Sequence, residues 1–463
     1  MRKFFKDCSF NGVVLVCSVF FLGLSFRILS LTDVSAWGDE VASFYYSQHL
    51  DRIFTQESHT PLSYFIYKLW LGVFPKNIVS LRYLSIFFSA SLTSLSCALL
   101  YKKRGCSTAL FFFILWWLWP TDIIFSRQAR HYSLYAEMTF LLLVLWDQRT
   151  FYSRKLLFVF LGLIQFIHPF SVLPILFLVI YDFVKEKSRL NESLGYLSTS
   201  LPMVSYYGIR FFIFGSDKVL SNISWISNNS FSFLKSLGLL FMGDSYPLTK
   251  VFPIPPMLGL IMVILVMLTV MFQIGFLSSL KYKENFLKFF QLFLLTLILV
   301  ELCSFFFTNI RISRYYIYLV PFFLYALLDW VQEFELRKNL IRWILLAVVL
   351  VSYNLLVFRP WRTYTWDDQN VADFKSYLQS LPPRELVVCA QPFHQEYYFK
   401  KASQNCTEQA LKLHLNKKNF YLFDLTGNDK LLALFLVNSG HIEHYQKFNH
   451  ALFISVTYPL TAQ

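Results

Sequence analysis

The stretch NGVVLVCSVFFLGLSFRILSLTDVSAWGDEVASFYYSQHL (residues 11–50) joins a long apolar run to an acidic doublet. The run covers about residues 11–30, which is the length of roughly 20 residues that a helix needs to cross a bilayer. Asp39 and Glu40 follow just past its end and are flanked by aromatic residues. This order predicts a membrane protein with polar chemistry at the edge of the bilayer.

The composition of the 463-residue chain also favours a membrane protein. Hydrophobic residues make up 56% of it and charged residues only 15%, whereas soluble domains carry about 25% charged residues. The short stretches 156–167 and 170–182, separated by His168 and Pro169, form either two spans or one kinked span. Counted as two, they bring the predicted spans to eleven: 11–30, 81–100, 108–125, 132–147, 156–167, 170–182, 194–214, 253–276, 287–307, 315–330 and 340–358.

Basic residues predict the orientation, because lysine and arginine accumulate on the cytoplasmic side of spans. With eleven spans, the basic clusters near residues 2–6, 102–104 and 281–288 all fall on one side. We therefore expect the N-terminus in the cytoplasm, with the first span retained because no cleavage motif follows it. Much of the net charge of +14 is then an orientation signal, and we expect no nucleic-acid partner.

The last part of the chain has the composition of a small soluble domain. ELVVCA, NFYLFDL and ALFISVTY predict strands with helical segments between them, which indicates a compact α/β unit. We expect a transmembrane domain over 1–358 and an extracytoplasmic α/β domain over 359–463. Cys389 and Cys406 lie in this exported part, where a disulfide is permitted, and are either bonded or free.

The predicted outer face collects charged and histidine side chains. The segments 41–50 and 61–74 predict amphipathic helices that lie along the membrane surface. Charges at the ends of spans are costly unless they are solvated or paired, so such residues are candidates for function. The candidates on this face are Asp39, Glu40, His59, Lys68, Arg127, Arg130, Tyr132, His168, Arg311 and Arg314.

Several of these candidates have a structural alternative. Asp39 either faces a cavity or caps a helix that begins near Val41. Arg127 and Arg130 either bind an anion or extend to lipid headgroups. His168 either lines the same cavity or only marks the break between two short spans.

Several motifs together resemble the bacterial glycosyltransferases of the family 39 type, which are GT-C-fold enzymes related to protein O-mannosyltransferases and to the lipid A aminoarabinose transferase. His59-Thr60-Pro61-Leu62 lacks one proline of the usual H-P-P-L pattern. Arg127, Arg130 and Tyr132 match the family's A-R-x-x-R/P-Y pattern. The motifs, in chain order, are WGDE (37–40), HTPLSYFIYKLW (59–70), LRYLS (81–85), SRQARHYSLYAE (126–137) and RYYIYLVPFF (314–323).

The resemblance implies an inverting transfer of a sugar from a polyprenyl-phosphate-linked donor to a hydroxyl of a protein, lipid A or envelope glycan. A carboxylate serves as the general base of such a step, and we assign that role to Asp39, with Glu40 orienting it or the substrate. The arginines stabilise the leaving phosphate, and His59 and Lys68 are further candidates for contact with the phosphate or the acceptor.

Alternatives at the level of function remain open in the sequence. A transporter is one, although such proteins often show repeated halves and charges inside spans; a ligase or polymerase of lipid-linked glycans is another.

Asp39, Glu40, His59 and His168 supply ligands for a divalent cation, yet their spacing is not compact, and we expect no metal or other cofactor. Loop 215–252 is either a lid that orders over substrate or a passive connector.

Overall fold

The computed structural model shows a set of helices and a small sheet. The chain divides into two compact units, residues 1–31 with 49–360 and residues 32–48 with 361–463. The domain boundary expected after residue 358 stays a prediction. The structure describes residues 10–28, 31, 38–56, 59–117, 119–148, 151–185, 190–220, 317, 319–322, 324–325, 377, 379–380, 385–389, 420–424, 441–448 and 451–457.

Twelve α-helices lie within these ranges, and all except α2 belong to the first unit. The turn of 3₁₀-helix Pro169–Ser171 lies between α9 and α10. The helices are α1 (Phe10–Ile28), α2 (Gly38–Gln48), α3 (Leu50–Gln56), α4 (Leu62–Val73), α5 (Ile78–Arg104), α6 (Cys106–Trp117), α7 (Pro120–Ser126), α8 (Tyr132–Gln148), α9 (Phe151–Gln165), α10 (Val172–Lys185), α11 (Leu190–Ser198) and α12 (Leu201–Leu220).

Helix α5 has clear signals at both ends. The Asn77 side chain accepts a hydrogen bond from the Ser80 backbone N–H at 2.7 Å, which caps the first turn. Gly105 ends the helix with φ at 85°, a conformation that glycine adopts without strain. The basic residues 102–104 fill the last turn, where they complement the helix dipole. In the described part of the chain, α5 is the helix long and apolar enough to cross a membrane.

The core of the first unit lies between α5, α6 and α8. Phe112 of α6 stacks on Phe140 of α8 with ring centroids 4.0 Å apart, and Tyr325 contacts Phe140 at 5.7 Å. Trp116 and Trp146 are also buried there. Nearly every described side chain of α8 is buried, so α8 is a central helix and the residues at its start are held by close packing.

Polar contacts fix the other end of α8. Asp147 accepts hydrogen bonds from Lys103, from Arg104 at 3.0 Å and from the Tyr325 hydroxyl at 2.5 Å. The two cations belong to the basic cluster that the charge pattern assigns to the cytoplasmic side. Asp147 therefore joins the ends of α5 and α8 to the segment around residue 325.

Helices α9 and α10 are two helices joined by a turn and not one kinked helix. His168, in the turn between them, packs on His131 and Tyr135 at the start of α8. Asp182, near the end of α10, accepts a hydrogen bond from the Trp146 indole N–H at 3.2 Å near the end of α8. These contacts show that α10 runs in the same direction as α8. Helix α9, which joins them in the chain, therefore runs in the opposite direction.

Large apolar side chains face outward on several helices. Phe21 of α1 is 63% exposed, Val159 of α9 is 58% exposed and Phe212 of α12 is 91% exposed. Exposed apolar side chains on several helices mark a surface that contacts another apolar phase. They agree with the integral membrane protein that the composition predicts, while the number of spans stays a prediction. The span expected over 194–214 is interrupted at Thr199 and Ser200, between α11 and α12.

The second unit contains α2 and a four-stranded sheet in the order β1-β2-β4-β3. Strands β1 and β2 are parallel, and β4 is antiparallel to both of its neighbours. Three strands coincide with predicted ones, whereas β3 (HIEHYQKF) is a polar edge strand whose sequence gives no strand signal. Their bounds are β1 Glu385–Cys389, β2 Phe420–Asp424, β3 His441–Phe448 and β4 Ala451–Thr457.

Some predicted features lie outside the described residues. They are the spans 253–276, 287–307 and 340–358, residues 221–252 of the expected lid loop, Arg311, Arg314 and Cys406.

Candidate functional site

Three histidines meet where three turns of the first unit come together. His59 precedes α4, His131 precedes α8 and His168 follows α9. The ring centroids are 4.6 Å apart for His59 and His131, 5.6 Å for His59 and His168, and 5.4 Å for His131 and His168. Each side chain is at most 6% exposed, and one potential ligand atom of each lies within 4.8 Å of the others. We refer to these residues as the histidine group.

Backbone contacts and ring stacking hold these turns in place. The backbone N–H of Leu62 donates to the Phe166 carbonyl at 3.2 Å, which joins the start of α4 to the end of α9. His168 caps the 3₁₀ turn, and its Nδ1 accepts from the Phe170 backbone N–H at 3.2 Å. Tyr135 stacks on the His168 ring, with centroids 4.6 Å apart and planes 9° apart. His168 thus ends a helical segment and also belongs to the buried group.

Arg130 places a permanent positive charge against the histidine group. Its Nη2 lies 3.2 Å from His59 Nε2 and donates to the Tyr132 hydroxyl at 3.2 Å. The guanidinium carbon also lies 5.3 Å from the centroid of the Tyr132 ring. Arg130 is 4% exposed, so a lipid headgroup is not its partner in the way the sequence alternative envisaged.

The hydrogen bonds define which nitrogens of two histidines carry hydrogen. A guanidinium can only donate, so His59 Nε2 accepts from Arg130, and the hydrogen of a neutral His59 lies on Nδ1. The Phe170 backbone N–H likewise occupies His168 Nδ1, so the hydrogen of a neutral His168 lies on Nε2. His59 and His168 therefore each carry one N–H donor, and the Arg130 guanidinium adds further donors beside them.

This donor set fits an oxyanion better than a metal ion. A histidine that binds a metal uses a lone pair and usually donates its other N–H to an acceptor. In His59 and His168 a lone pair is already taken by an N–H donor, so binding a metal through the other nitrogen would need an imidazolate. The positive charge of Arg130 at 3.2 Å from His59 also opposes a cation, whereas a phosphate or a sugar oxygen is attracted by all of these groups.

A second buried cluster joins α1 to α7. Some of its residues are close in sequence to His131 of the histidine group. Arg27 Nη2 lies 2.5 Å from Asp122 Oδ2, and Arg27 Nε donates to the Ser126 hydroxyl at 2.8 Å. Both charged side chains of the pair are 2% exposed. We refer to Arg27, Asp122, Ser126, Ser133 and Glu137 as the Arg27 network.

The Arg27 network continues into the helix bundle. The Ser133 hydroxyl lies 3.0 Å from Asp122 Oδ1 and 3.3 Å from Glu137 Oε1. Glu137 Oε1 also accepts from Ser89 and from the Trp116 indole N–H at 3.4 Å. The network therefore links α1, α5, α6, α7 and α8, and it fixes both ends of the 127–131 turn that carries Arg130 and His131.

Other candidates in the first unit lie apart from the histidine group or at its edge. Lys68 is exposed on α4, between the exposed side chains of Phe65 and Leu69, so the structure does not bring it into the buried group. Arg127 is half-buried and follows the last residue of α7. Tyr132 is fully buried and contacts Arg130.

Asp39 and Glu40 belong to the second unit. Helix α2 begins at Gly38 and not near Val41, so Asp39 lies in the first turn of the helix and not before it. The carbonyl of Asp39 accepts from the Ser43 hydroxyl at 3.0 Å. Glu40 is 1% exposed, while Asp39 is half-buried, so the two acids of the doublet have different environments.

The sequence interpretation left His131 and all five residues of the Arg27 network out of the site. His131 is adjacent to Arg130 within the same motif, and that adjacency was the signal available for it. Arg27 ends the first apolar run, where a single basic residue reads as a headgroup contact. Its buried partner Asp122 lies 95 residues away, so no local pattern connects them.

Comparison with known proteins finds similarity at the level of structure. No protein-family model and no curated protein sequence matches the chain. ArnT from Cupriavidus metallidurans bound to undecaprenyl phosphate is 13% identical with a TM-score of 0.49, covering 98% of this chain and all of the other. The apo state of the same protein is 14% identical with a TM-score of 0.48, covering 96% and 97%. The S. cerevisiae protein O-mannosyltransferase Pmt1-Pmt2 complex bound to the sugar donor is 16% identical with a TM-score of 0.33, covering 51% and 37%. These structural neighbours match the group that the sequence motifs resemble.

Proposed function

We propose that this chain is a membrane-embedded GT-C glycosyltransferase that moves a sugar from a polyprenyl-phosphate-linked donor to a hydroxyl acceptor with inversion. The carrier class is that of the undecaprenyl phosphate held by one similar ArnT structure. Protein, lipid A and envelope glycan are the candidate acceptors. The bacterial inner membrane, with the chemistry on the outer face, is the proposed location.

The observation that carries this proposal is the buried set of donors around His59, Arg130 and His168. The leaving group of the reaction is a lipid phosphate, which needs its negative charge stabilised more than it needs a proton. Arg130 supplies a fixed charge, and the tautomers of the two histidines supply N–H donors beside it. A transporter does not require a buried arginine and histidine N–H donors at the turns between its helices.

Asp39 is the proposed general base, with Glu40 orienting it or the acceptor. A single displacement at the anomeric carbon needs one carboxylate to accept the proton of the attacking hydroxyl. The half-buried position of Asp39 leaves it accessible, whereas Glu40 is buried. We assign only supporting contacts with the lipid phosphate or the acceptor to four further residues, Arg127, Arg311, Arg314 and Lys68.

Binding of undecaprenyl phosphate to the purified full-length protein tests the phosphate site. Arg130→Ala removes one charge-assisted partner and should weaken binding roughly tenfold or more. Arg154→Ala is the matched control, because Arg154 is 49% exposed and pairs with Glu192 at 3.4 Å. Equal affinity in Arg130→Ala and wild type, with both proteins folded, contradicts the assignment.

Transfer to envelope acceptors tests the base. Asp39→Asn should bind undecaprenyl phosphate with wild-type affinity and lose transfer, because an amide cannot accept the proton. The acceptor is identified by the mass shift of envelope glycolipids and proteins after deletion of the gene. Full transfer by a folded Asp39→Asn protein removes Asp39 from this role.

A further inference from the structure

Arg210 is a further buried arginine in the first unit. Arg210 of α12 is 2% exposed, and its Nε and Nη1 are buried without a hydrogen-bond partner. Among the residues that the structure describes, no carboxylate pairs with it. Its described contacts are with the faces of Tyr206 and Tyr207, at 5.7 Å and 5.9 Å from the guanidinium carbon to the ring centroids.

These aromatic contacts do not account for the burial of Arg210. A guanidinium remains charged in a protein, and the loss of its hydration exceeds what one or two cation–π contacts return. An isolated arginine in a membrane helix is therefore a candidate binding residue. The missing partner is an anion, because an arginine has no acceptor atoms to offer.

The position of Arg210 indicates which anion fits. Phe54 of α3 packs on Tyr206 at 5.7 Å and on Phe214 at 5.6 Å, so this end of α12 lies against the predicted outer loop. Ile209 and Phe212 on the same stretch of helix are 53% and 91% exposed. A buried cation beside an exposed apolar face matches a phosphate group that carries a hydrophobic tail.

We propose that Arg210 binds the phosphate group of a lipid, whose tail lies along the exposed apolar face of α12. Arg210 is not among the candidate residues for the sugar donor, and its role does not depend on whether the chain transfers a sugar. The phosphate accepts charge-assisted hydrogen bonds from the guanidinium, whose buried Nε and Nη1 have no hydrogen-bond partner among the described residues.

The test is a thermal unfolding measurement on the full-length protein in neutral detergent, with and without added lipid. Dioleoyl phosphatidic acid, an anionic phosphomonoester, should raise the midpoint of the wild-type protein. Dioleoyl phosphatidylcholine, whose phosphate charge is balanced by its own choline cation, should raise it much less. Arg210→Met should unfold at or above the wild-type midpoint without lipid, because an uncompensated charge is removed. It should lose the response to phosphatidic acid, with an apparent affinity weaker by roughly tenfold or more.

Two further variants separate a binding role from a structural one. Arg210→Lys keeps the charge and should retain part of the response, while Arg154→Met removes an exposed arginine and should retain all of it. An unaltered response in Arg210→Met overturns the proposal, and so does a lower lipid-free midpoint of that variant, which would indicate a structural partner. A response of equal size to inorganic phosphate overturns the assignment of the ligand to a lipid.

Discussion

The Arg27–Asp122 ion pair allows a quantitative test of how the helices are held together. Both side chains are 2% exposed, and the charged atoms lie 2.5 Å apart. Arg27→Met leaves the Asp122 carboxylate buried without its cation and removes the hydrogen bond to Ser126. Breaking one partner of a buried pair costs about 3–5 kcal/mol, so we expect a loss of about that size in the free energy of unfolding.

The double variant Arg27→Met with Asp122→Asn separates the charge from the packing. It removes both charges and should recover most of the loss, because no uncompensated ion remains. The pair Arg154 and Glu192 is the control, with 49% and 18% exposure and a distance of 3.4 Å. Arg154→Met should change stability by about 1 kcal/mol or less.

The assay is unfolding of the purified protein by sodium dodecyl sulfate, followed by tryptophan fluorescence. If Arg27→Met lowers the free energy of unfolding by no more than Arg154→Met does, the pair does not join α1 to α7 in the way described. The same conclusion follows if the double variant is as unstable as the single one.

Three more predictions follow from the site. His168→Gln should keep most of the affinity for undecaprenyl phosphate, because its amide N–H replaces the Nε2–H donor, whereas His168→Ala should lose roughly tenfold; equal losses in both variants would contradict the assigned tautomer. Glu137→Gln should leave the unfolding midpoint nearly unchanged because its carbonyl still accepts from Ser89 and Trp116, while Glu137→Leu should cost about 1–3 kcal/mol for each donor left unsatisfied; a large effect of the amide would show that the charge matters. Donor binding by protein treated with a chelator should equal that of untreated protein, and its loss with recovery on adding zinc would place a metal in the histidine group.

Local sequence patterns predict much of the helical structure. The ends of α5 follow from Asn77 and Gly105, whose preferences for a cap and for positive φ depend on residues within one turn. Strands β1, β2 and β4 were visible as short apolar runs, but the polar strand β3 was not. β3 lies at an edge of the sheet, where polar residues are tolerated. β1 lies at the other edge and is apolar, so edge position permits a polar sequence but does not require one.

The histidine group was only partly visible in the sequence. His59 and His168 are candidates because the predicted topology places both on the outer face, while His131 is not among the candidates. Lys68 was a candidate on the same grounds, yet it is exposed on α4. A polar side chain near a span end is buried only if it lies on the helix face that neighbouring helices cover. The packing of the helices determines which face that is.

The sequence by itself determined that this chain is apolar enough for a bilayer. It also predicts that the basic clusters share one side and that acids and arginines collect at the opposite ends of the spans. These properties depend on composition and on the order of residues along the chain. Only the tertiary structure decided that Arg27 pairs with Asp122, that Arg130 lies against His59, and that His168 packs on Tyr135. Each of these contacts joins residues tens of positions apart, and the free energy that selects them comes from burying several helices at once.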